Sequence, residues 1–333
     1  MISPNMFRQR FAIATFADGG VLVDTDTGNY CRLNVSAAAL CEAMENSTSI
    51  DEAITYTADR LLISRITAAE YIEGILTNLE MGGIRKVSSE PLRYVFSPEG
   101  GYDLCYEGNR ILHVDDQGRQ LRLIAESASL GFSIHAFIRH IVPKIASLKG
   151  LVVLHGSAVA NGPRAIAMCG VSGAGKTTTA KILSKYEREL IAEDLLVVAP
   201  GETAARIFKK GEQVLNEWST SAAKLFESNR DAIADTSSLS TAGSGPTVEL
   251  ESIWLMDAGR RVDSDTLEKT PLCASEVLLR MLENSFMGAA SWRHHLEMTR
   301  RLVATTESYE IKVPNTLSRL EKAIALQITN SAS

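Results

Sequence analysis

The stretch Gly170-Val171-Ser172-Gly173-Ala174-Gly175-Lys176-Thr177 satisfies the pattern G-x-x-x-x-G-K-[ST] at every fixed position. Each fixed residue has a physical task. The glycines let the backbone turn through positive φ, so that successive N–H groups converge on phosphate oxygens. Lys176 puts a positive charge on the β- and γ-phosphates, and the Thr177 hydroxyl can hold a magnesium ion. Thr178 opens the helix that should follow. The expected nucleotide contacts are therefore Gly170, Ser172, Gly173, Ala174, Gly175, Lys176, Thr177 and Thr178, with ATP and Mg2+ as the bound groups. No guanine-reading N-K-x-D is present, which favours ATP.

One hydroxyl is a sparse magnesium site, so a carboxylate is needed nearby. Glu193-Asp194 closes the apolar run Leu190-Ile191-Ala192, shortly after the loop. One member of an adjacent acidic pair can orient magnesium while the other accepts a hydroxyl proton. Asp257, closing Ile253-Trp254-Leu255-Met256, competes for the metal, and its other reading is a turn aspartate before Gly259. His155 stands at the end of Leu151-Val152-Val153-Leu154, where its pKa range suits proton transfer or tuning of a neighbouring carboxylate. Arg206, Lys209 and Lys210, and likewise Arg260-Arg261, could clamp phosphate or form a solvated face.

The elements that must position these residues are legible. Arg164 to Cys169 reads as a strand and Thr178 to Leu183 as a helix, the context that the loop requires. Upstream, Phe11–Ala14, Gly20–Val23 and Tyr30–Leu33 read as strands, the last two joined by the turn residues Asp24 to Asn29, where Gly28 supplies positive φ. Three helices follow, capped by Ser36, by Ser49 with Glu52, and by Thr67 with Glu70, the third ended by Gly82-Gly83. Residues 88–98 suggest a linker. Strands are expected at Tyr102–Tyr106, Arg110–Val114, Arg119–Ile124, Val248–Asp257 and Tyr309–Val313, and a helix near 134–148 kinked or begun by Pro143. The Ser/Gly/Thr-rich segment 237–246 reads as a mobile loop, and Glu217 to Ala222 as a helix start. The expected division is 1–87 and 88–333, an α+β domain followed by an α/β domain.

Bulk properties exclude several classes. A net charge of −6 argues against nucleic acid, and residues 1–87 alone carry seven Lys/Arg against eleven Asp/Glu. That acidity weighs against a winged-helix DNA reader. Five scattered cysteines without a C-x-x-C pair fit reduced thiols in a cytoplasmic protein. No apolar run is long enough for a membrane span. The sequence leaves a homo-oligomer open.

Leu154-His155-Gly156-Ser157-Ala158-Val159-Ala160, the loop, and Ile191-Ala192-Glu193-Asp194 follow the order and spacing of HPr kinase/phosphorylase, and over roughly residues 90–330 the chain resembles the HPr kinase-like proteins of bacterial peptide-modification gene clusters. The resemblance implies a phosphoenolpyruvate-carboxykinase-like P-loop fold and serine/threonine kinase activity. It implies roles for His155, Gly175, Lys176, Thr177 and Asp194, with Thr177 and Asp194 on magnesium and His155 near the transferring phosphate. Glu193 stands where that family has the aspartate that accepts the proton. The added methylene moves the oxygen by about an ångström, a misplacement that can cost ~10²-fold in rate. The family's second signature has no match here, so HPr is not the expected substrate.

Residues 10–87 resemble the PqqD family, through Asp24 to Asn34, Ser36 to Leu40 and the segment Tyr71 to Ile84. That resemblance implies a winged-helix-type domain that captures the leader of a ribosomally made precursor peptide by adding it beside the third strand, near Tyr71, Ile75 and Asn78. Leu33 and Ile75 are expected to be core. The leading expectation is therefore an ATP- and magnesium-dependent kinase, with catalytic Glu193, His155 and Lys176, acting on a peptide or small protein. A nucleotide-gated peptide binder and a small-molecule kinase are the rivals.

Overall fold

The computed structural model describes residues 2–26, 29–80, 92–106, 109–124, 134–186, 188–283 and 292–331. Gly28, the helix end at Gly82-Gly83 and the first residues of the expected linker lie outside them. The chain is mixed α/β and divides into two compact units.

The first unit comprises Met1–Ser89 together with Cys273–Leu279 and Trp292–Arg300. It opens with a helix that sequence reading missed, α1 (Pro4–Arg10), although its signal is present. Ser3 accepts the Met6 N–H and proline occupies the first turn, where a missing N–H costs nothing. Strands β1 (Phe11–Phe16), β2 (Gly19–Asp24) and β3 (Tyr30–Leu33) form an antiparallel sheet in that order. Helix α2 (Val35–Asn46) is capped by Asn34, whose side chain accepts the Ala37 N–H; Ser36 lies inside the helix. Ser49 does cap α3 (Ile50–Leu61), but Glu52 reaches back to the N–H and hydroxyl of Thr48, not to Ser49. Helix α4 (Arg65–Glu80) is capped by Ser64, which accepts the Thr67 N–H, so Thr67 is its third residue. For α2 and α4 the cap moves upstream, because the first oxygen that can reach an orphan N–H takes it. Phe7, Phe11, Leu22, Leu40, Met44, Ile72 and Leu76 fill the core between helices and sheet, with Leu33 and Ile75 packed at its margin.

The later segments are tied to this unit by charge. Arg293 donates to Glu45 at 2.8 Å and to the carbonyls of Arg8 and Phe11. Arg32 on β3 donates to Ser275 at 2.8 Å and to Glu276 at 3.2 Å, and Asp18 accepts the Ser275 N–H at 3.1 Å.

In the second unit, β4 (Leu92–Phe96), β5 (Tyr102–Tyr106), β6 (Asn109–Val114) and β7 (Gln120–Leu123) form an antiparallel meander, so residues 92–96 are strand rather than linker. Helix α5 (Ile134–Leu148) contains Pro143 in its interior, where proline has no N–H to offer the Arg139 carbonyl one turn back. Strand β8 (Val152–Asn161) turns into β9 (Arg164–Gly170), which feeds α6 (Lys176–Ser184). Then come β10 (Glu189–Ala192), β11 (Leu195–Ala199), β12 (Arg206–Phe208), α7 (Gly211–Ser228), β13 (Ile233–Asp235), a 3-10 helix over Ser237–Gly243, β14 (Thr247–Val262), β15 (Glu268–Pro271), β16 (Glu307–Pro314) and α10 (Leu317–Ser331), while α8 (Ala274–Glu283) and α9 (Trp292–Ala304) begin in the first unit and end in the second.

Among the described residues the larger sheet has eight strands. β9 runs parallel to β14, which runs parallel to β16; β8 is antiparallel to β9, and its two halves pair with β11 and β10. His155 is therefore a mid-strand residue, not a strand end. Segment 237–246 is not the loop its composition suggests, because Leu239 and Ala242 are fully buried and anchor the 3-10 turn. Trp218 lies in the middle of α7, its indole N–H given to the Asp235 carbonyl at 2.9 Å.

Two apolar clusters set the frame. Val159, Met168, Ala174, Ile182, Trp254, Met256, Ile311 and Leu320 hold α6 and α10 against the sheet. Ile138, Ile141 and Ile145 of α5 pack with Leu215 and Phe226 of α7, Val153, Val197 and the inner face of the meander. At about 25 cal/mol per Å² of apolar surface removed from water, such side chains contribute on the order of 1.5–3 kcal/mol each.

Candidate active site

The loop between β9 and α6 carries the first part of the site. Gly175 caps α6 at φ +97° and, being glycine, has no side chain to accept a first-turn N–H. A helix start left open in this way presents unsatisfied donors and the positive end of the dipole to an anion. Ala174 is buried beneath the loop. Ser172, Gly173, Gly175, Lys176, Thr177 and Thr178 line a cavity of about 390 Å³ together with His155 and Asp194. Gly170 ends β9, backed against Met256 of β14.

Lys176 is buried, and its ammonium donates to the carbonyls of Gly170 at 2.7 Å and Val171 at 3.0 Å. Burial lowers its pKa from the usual lysine value. Beneath the loop, burial pushes the Cys169 thiol up to about 12, which makes it inert packing.

The register of β8 and β11 brings in the second part. His155 pairs with Leu195, and the Gly156 N–H is given to the Asp194 carbonyl at 3.0 Å. This crossing sets His155 Nδ1 3.2 Å from Asp194 Oδ1. The histidine bond is the main reason that the Asp194 carboxyl lies below its ordinary value; burial opposes it, and Arg139 and Lys176 add to it. Ser157, next along β8, donates to the Glu193 carbonyl at 2.7 Å and lies 3.3 Å from the Thr177 hydroxyl, which reaches the same carbonyl at 3.2 Å.

The acidic pair is split. Asp194 faces the loop cavity, whereas the Glu193 carboxylate is held by Lys181 of α6 at 2.7 Å. Both backbone N–H groups of the pair, and that of Leu195, are accepted by the carboxylate of Glu212 on the first turn of α7, at 2.7, 2.9 and 3.2 Å. Glu212 was not foreseen. Its sequence signal is slight, an acidic residue at a helix start, because its partners are backbone groups 17–19 positions away. Arg261, also lining the loop cavity, donates to the Gly173 carbonyl at 3.1 Å. The pair Arg260-Arg261 is visible in the sequence, but the place of Arg261 against the loop is set by the fold.

Other candidates lie elsewhere. Asp257 lies inside β14 rather than closing it, and accepts the Gly259 N–H at 2.9 Å where the register with β16 shifts between Met256 and Arg261. Arg206 donates to Thr247, and Lys209 pairs with Glu189. Among the described residues no group of three or more His, Cys, Asp or Glu could hold a metal ion. The Thr177 hydroxyl and the Asp194 carboxylate line one cavity, and that sparse set suits magnesium, which binds through one or two carboxylates plus nucleotide phosphates and keeps its waters.

Among the described residues no helix is long and apolar enough to cross a membrane. No family model matches the chain. No curated protein matches it either. Among solved structures it is similar to the Hpr(Ser) kinase/phosphatase from Coxiella burnetii, at 9% identity and a TM-score of 0.27, over 54% of this chain and 99% of that one. A likeness at that level carries no argument about fold or chemistry.

Proposed function

We propose that the chain is an ATP- and magnesium-dependent, HPr kinase-like phosphotransferase acting on a hydroxyl of a peptide or small protein. The observation that carries this reading is the convergence of an uncapped helix start, Lys176, Thr177 and the His155–Asp194 couple on one cavity. The loop N–H groups and Lys176 bind the phosphates and offset charge that develops during transfer. Thr177 and Asp194 hold magnesium, which when bound neutralises charge on the transferring group. The His155–Asp194 couple receives the hydroxyl proton. Glu193, drawn to Lys181, serves to neutralise the outer face of α6 rather than to accept that proton.

The first unit serves to capture the peptide. β3 is an edge strand of its sheet among the described residues, and a peptide can extend such an edge by backbone bonds. Tyr71 and Asn78 are exposed on α4. Tethering a substrate by its leader raises the local concentration of the acceptor with no new contact at the reacting centre.

The test uses purified protein, magnesium and γ-labelled ATP with the short peptides encoded beside the gene. Label transferred to a peptide by the intact chain and abolished by Lys176→Ala supports the reading. Transfer that survives Lys176→Ala places the chemistry elsewhere. ATP binding without any transfer points to a nucleotide-gated binder.

A further inference from the structure

A second cavity, of about 350 Å³, shares the His155–Asp194 couple with the loop cavity. It is lined by Arg139 and His140 of α5, by Asn216 and Ser219 of α7, and by His155 and Asp194, which also line the loop cavity. We infer that this cavity is the acceptor site, and that it takes a hydroxyl compound carrying an anionic group, held by Arg139. The inference rests on the phosphotransferase reading above and deepens it by naming the acceptor chemistry.

Three observations support it. First, the two cavities meet only at the residues that the transfer needs. An acceptor hydroxyl placed at Asp194 in this cavity would lie beside a carboxylate that also lines the phosphate cavity, the proximity that phosphoryl transfer requires. Second, Ser219 is among the residues that line the cavity; it is 2% exposed and its hydroxyl has no hydrogen-bond partner. A buried hydroxyl without a partner costs free energy that a bound polar group recovers. Third, the Arg139 side chain is half exposed and reaches Asp194 Oδ2 only at 3.5 Å. A contact of that length and exposure is worth little. A substrate carboxylate or phosphate can therefore draw the guanidinium away through a bidentate pair, and in doing so frees that oxygen of Asp194.

The transfer balances as follows. The acceptor oxygen bonds to the γ-phosphorus, the bond from that phosphorus to the β–γ bridging oxygen breaks, and ADP leaves with the electron pair. The hydroxyl proton passes to the His155–Asp194 couple. The volume suits a small hydroxy acid, or a serine or threonine side chain beside an acidic residue.

The experiment measures ADP release from magnesium-ATP by the full chain with two matched pairs of probes. These are D-glycerate against glycerol, and a capped tetrapeptide with serine followed by glutamate against the same peptide with glutamine. The anionic member of at least one pair should stimulate release at least about tenfold over its neutral partner, with phosphorylated probe seen by mass. Arg139→Ala should remove that preference and Arg139→Lys restore part of it, with ATP affinity unchanged in both. Ser219→Ala should raise KM for the anionic probe and leave kcat nearly unaltered. Stimulation by glycerate would identify a free small acid, and by the peptide alone an acidic peptide segment. Equal response to both members of each pair, no response, or a preference intact in Arg139→Ala would overturn the inference. Failure to bind ATP, or ATP binding indifferent to Lys176→Ala, would instead sink the phosphotransferase reading itself.

Discussion

Glu212 accepts the backbone N–H of Asp194 at 2.9 Å, from the first turn of a helix 18 residues further along the chain. With its bonds to Glu193 and Leu195, this single carboxylate clamps the turn that carries the acidic pair. Replacing Glu212 by alanine removes three charge-assisted hydrogen bonds. The expected cost is about 2 kcal/mol of stability, read by urea denaturation. The larger effect should fall on kcat, by ~10–100-fold, with ATP affinity held within a few-fold, because the turn supports Asp194 and not the loop N–H groups. Steady-state kinetics beside nucleotide titration separates the two.

The split of the acidic pair makes a sharp comparison. Asp194→Asn should abolish transfer, by ~10³-fold or more, since this carboxylate faces the cavity with His155. Glu193→Gln, which loses only the exposed pair with Lys181, should stay within about tenfold of wild type. The opposite order in single-turnover phosphorylation would restore Glu193 as the proton acceptor.

Gly170 sits at φ +148°, and a Cβ there would lie 2.1 Å from the Met256 carbonyl oxygen. Neither the backbone angle nor the neighbouring strand can yield cheaply. Gly170→Ala should destabilise the protein by ~2 kcal/mol or more and weaken ATP binding together with it. Thermal unfolding with and without ATP measures both.

Asp103 gives a pH signature independent of the site. Burial raises its carboxyl pKa, but Arg110 at 2.5 Å and His113 at 2.8 Å prevail and hold it below the ordinary 3.8. A carboxyl depressed in the folded state stabilises the fold in full above its unfolded value, and that contribution is lost as pH falls through the folded value. Wild type should therefore lose stability steeply below about pH 4. Asp103→Asn should be less stable at pH 7 and less steep in that window. Parallel slopes in urea titrations would rule the pairing out as the cause.

The loop, its flanking strand and helix, and the place of the acidic pair were legible because each depends on local rules: glycines, an apolar run, a strand end. Helix caps were legible to within a few residues. Ser36 and Thr67 lost to Asn34 and Ser64, since several oxygens in a row compete for the same N–H groups. What sequence could not show was long-range. Nothing near Glu212 announces partners 17–19 residues earlier, and Arg139 meets Asp194 only because α5 packs against the strands that carry His155. Segment 237–246 misled because small polar residues there hide two buried apolar anchors.

The first unit is assembled from three separate stretches, with Ser275 and Arg293 bonded to Asp18, Arg32 and Glu45. A truncation after Ser89 would strip those partners away, leaving Asp18 and Arg32 only each other and Glu45 without Arg293. The unit is thus not a cassette that a single recombination event could transplant. Moving it to another protein would require carrying residues 273–279 and 292–300 along with the N-terminal stretch, and chimeras that omit them should express poorly.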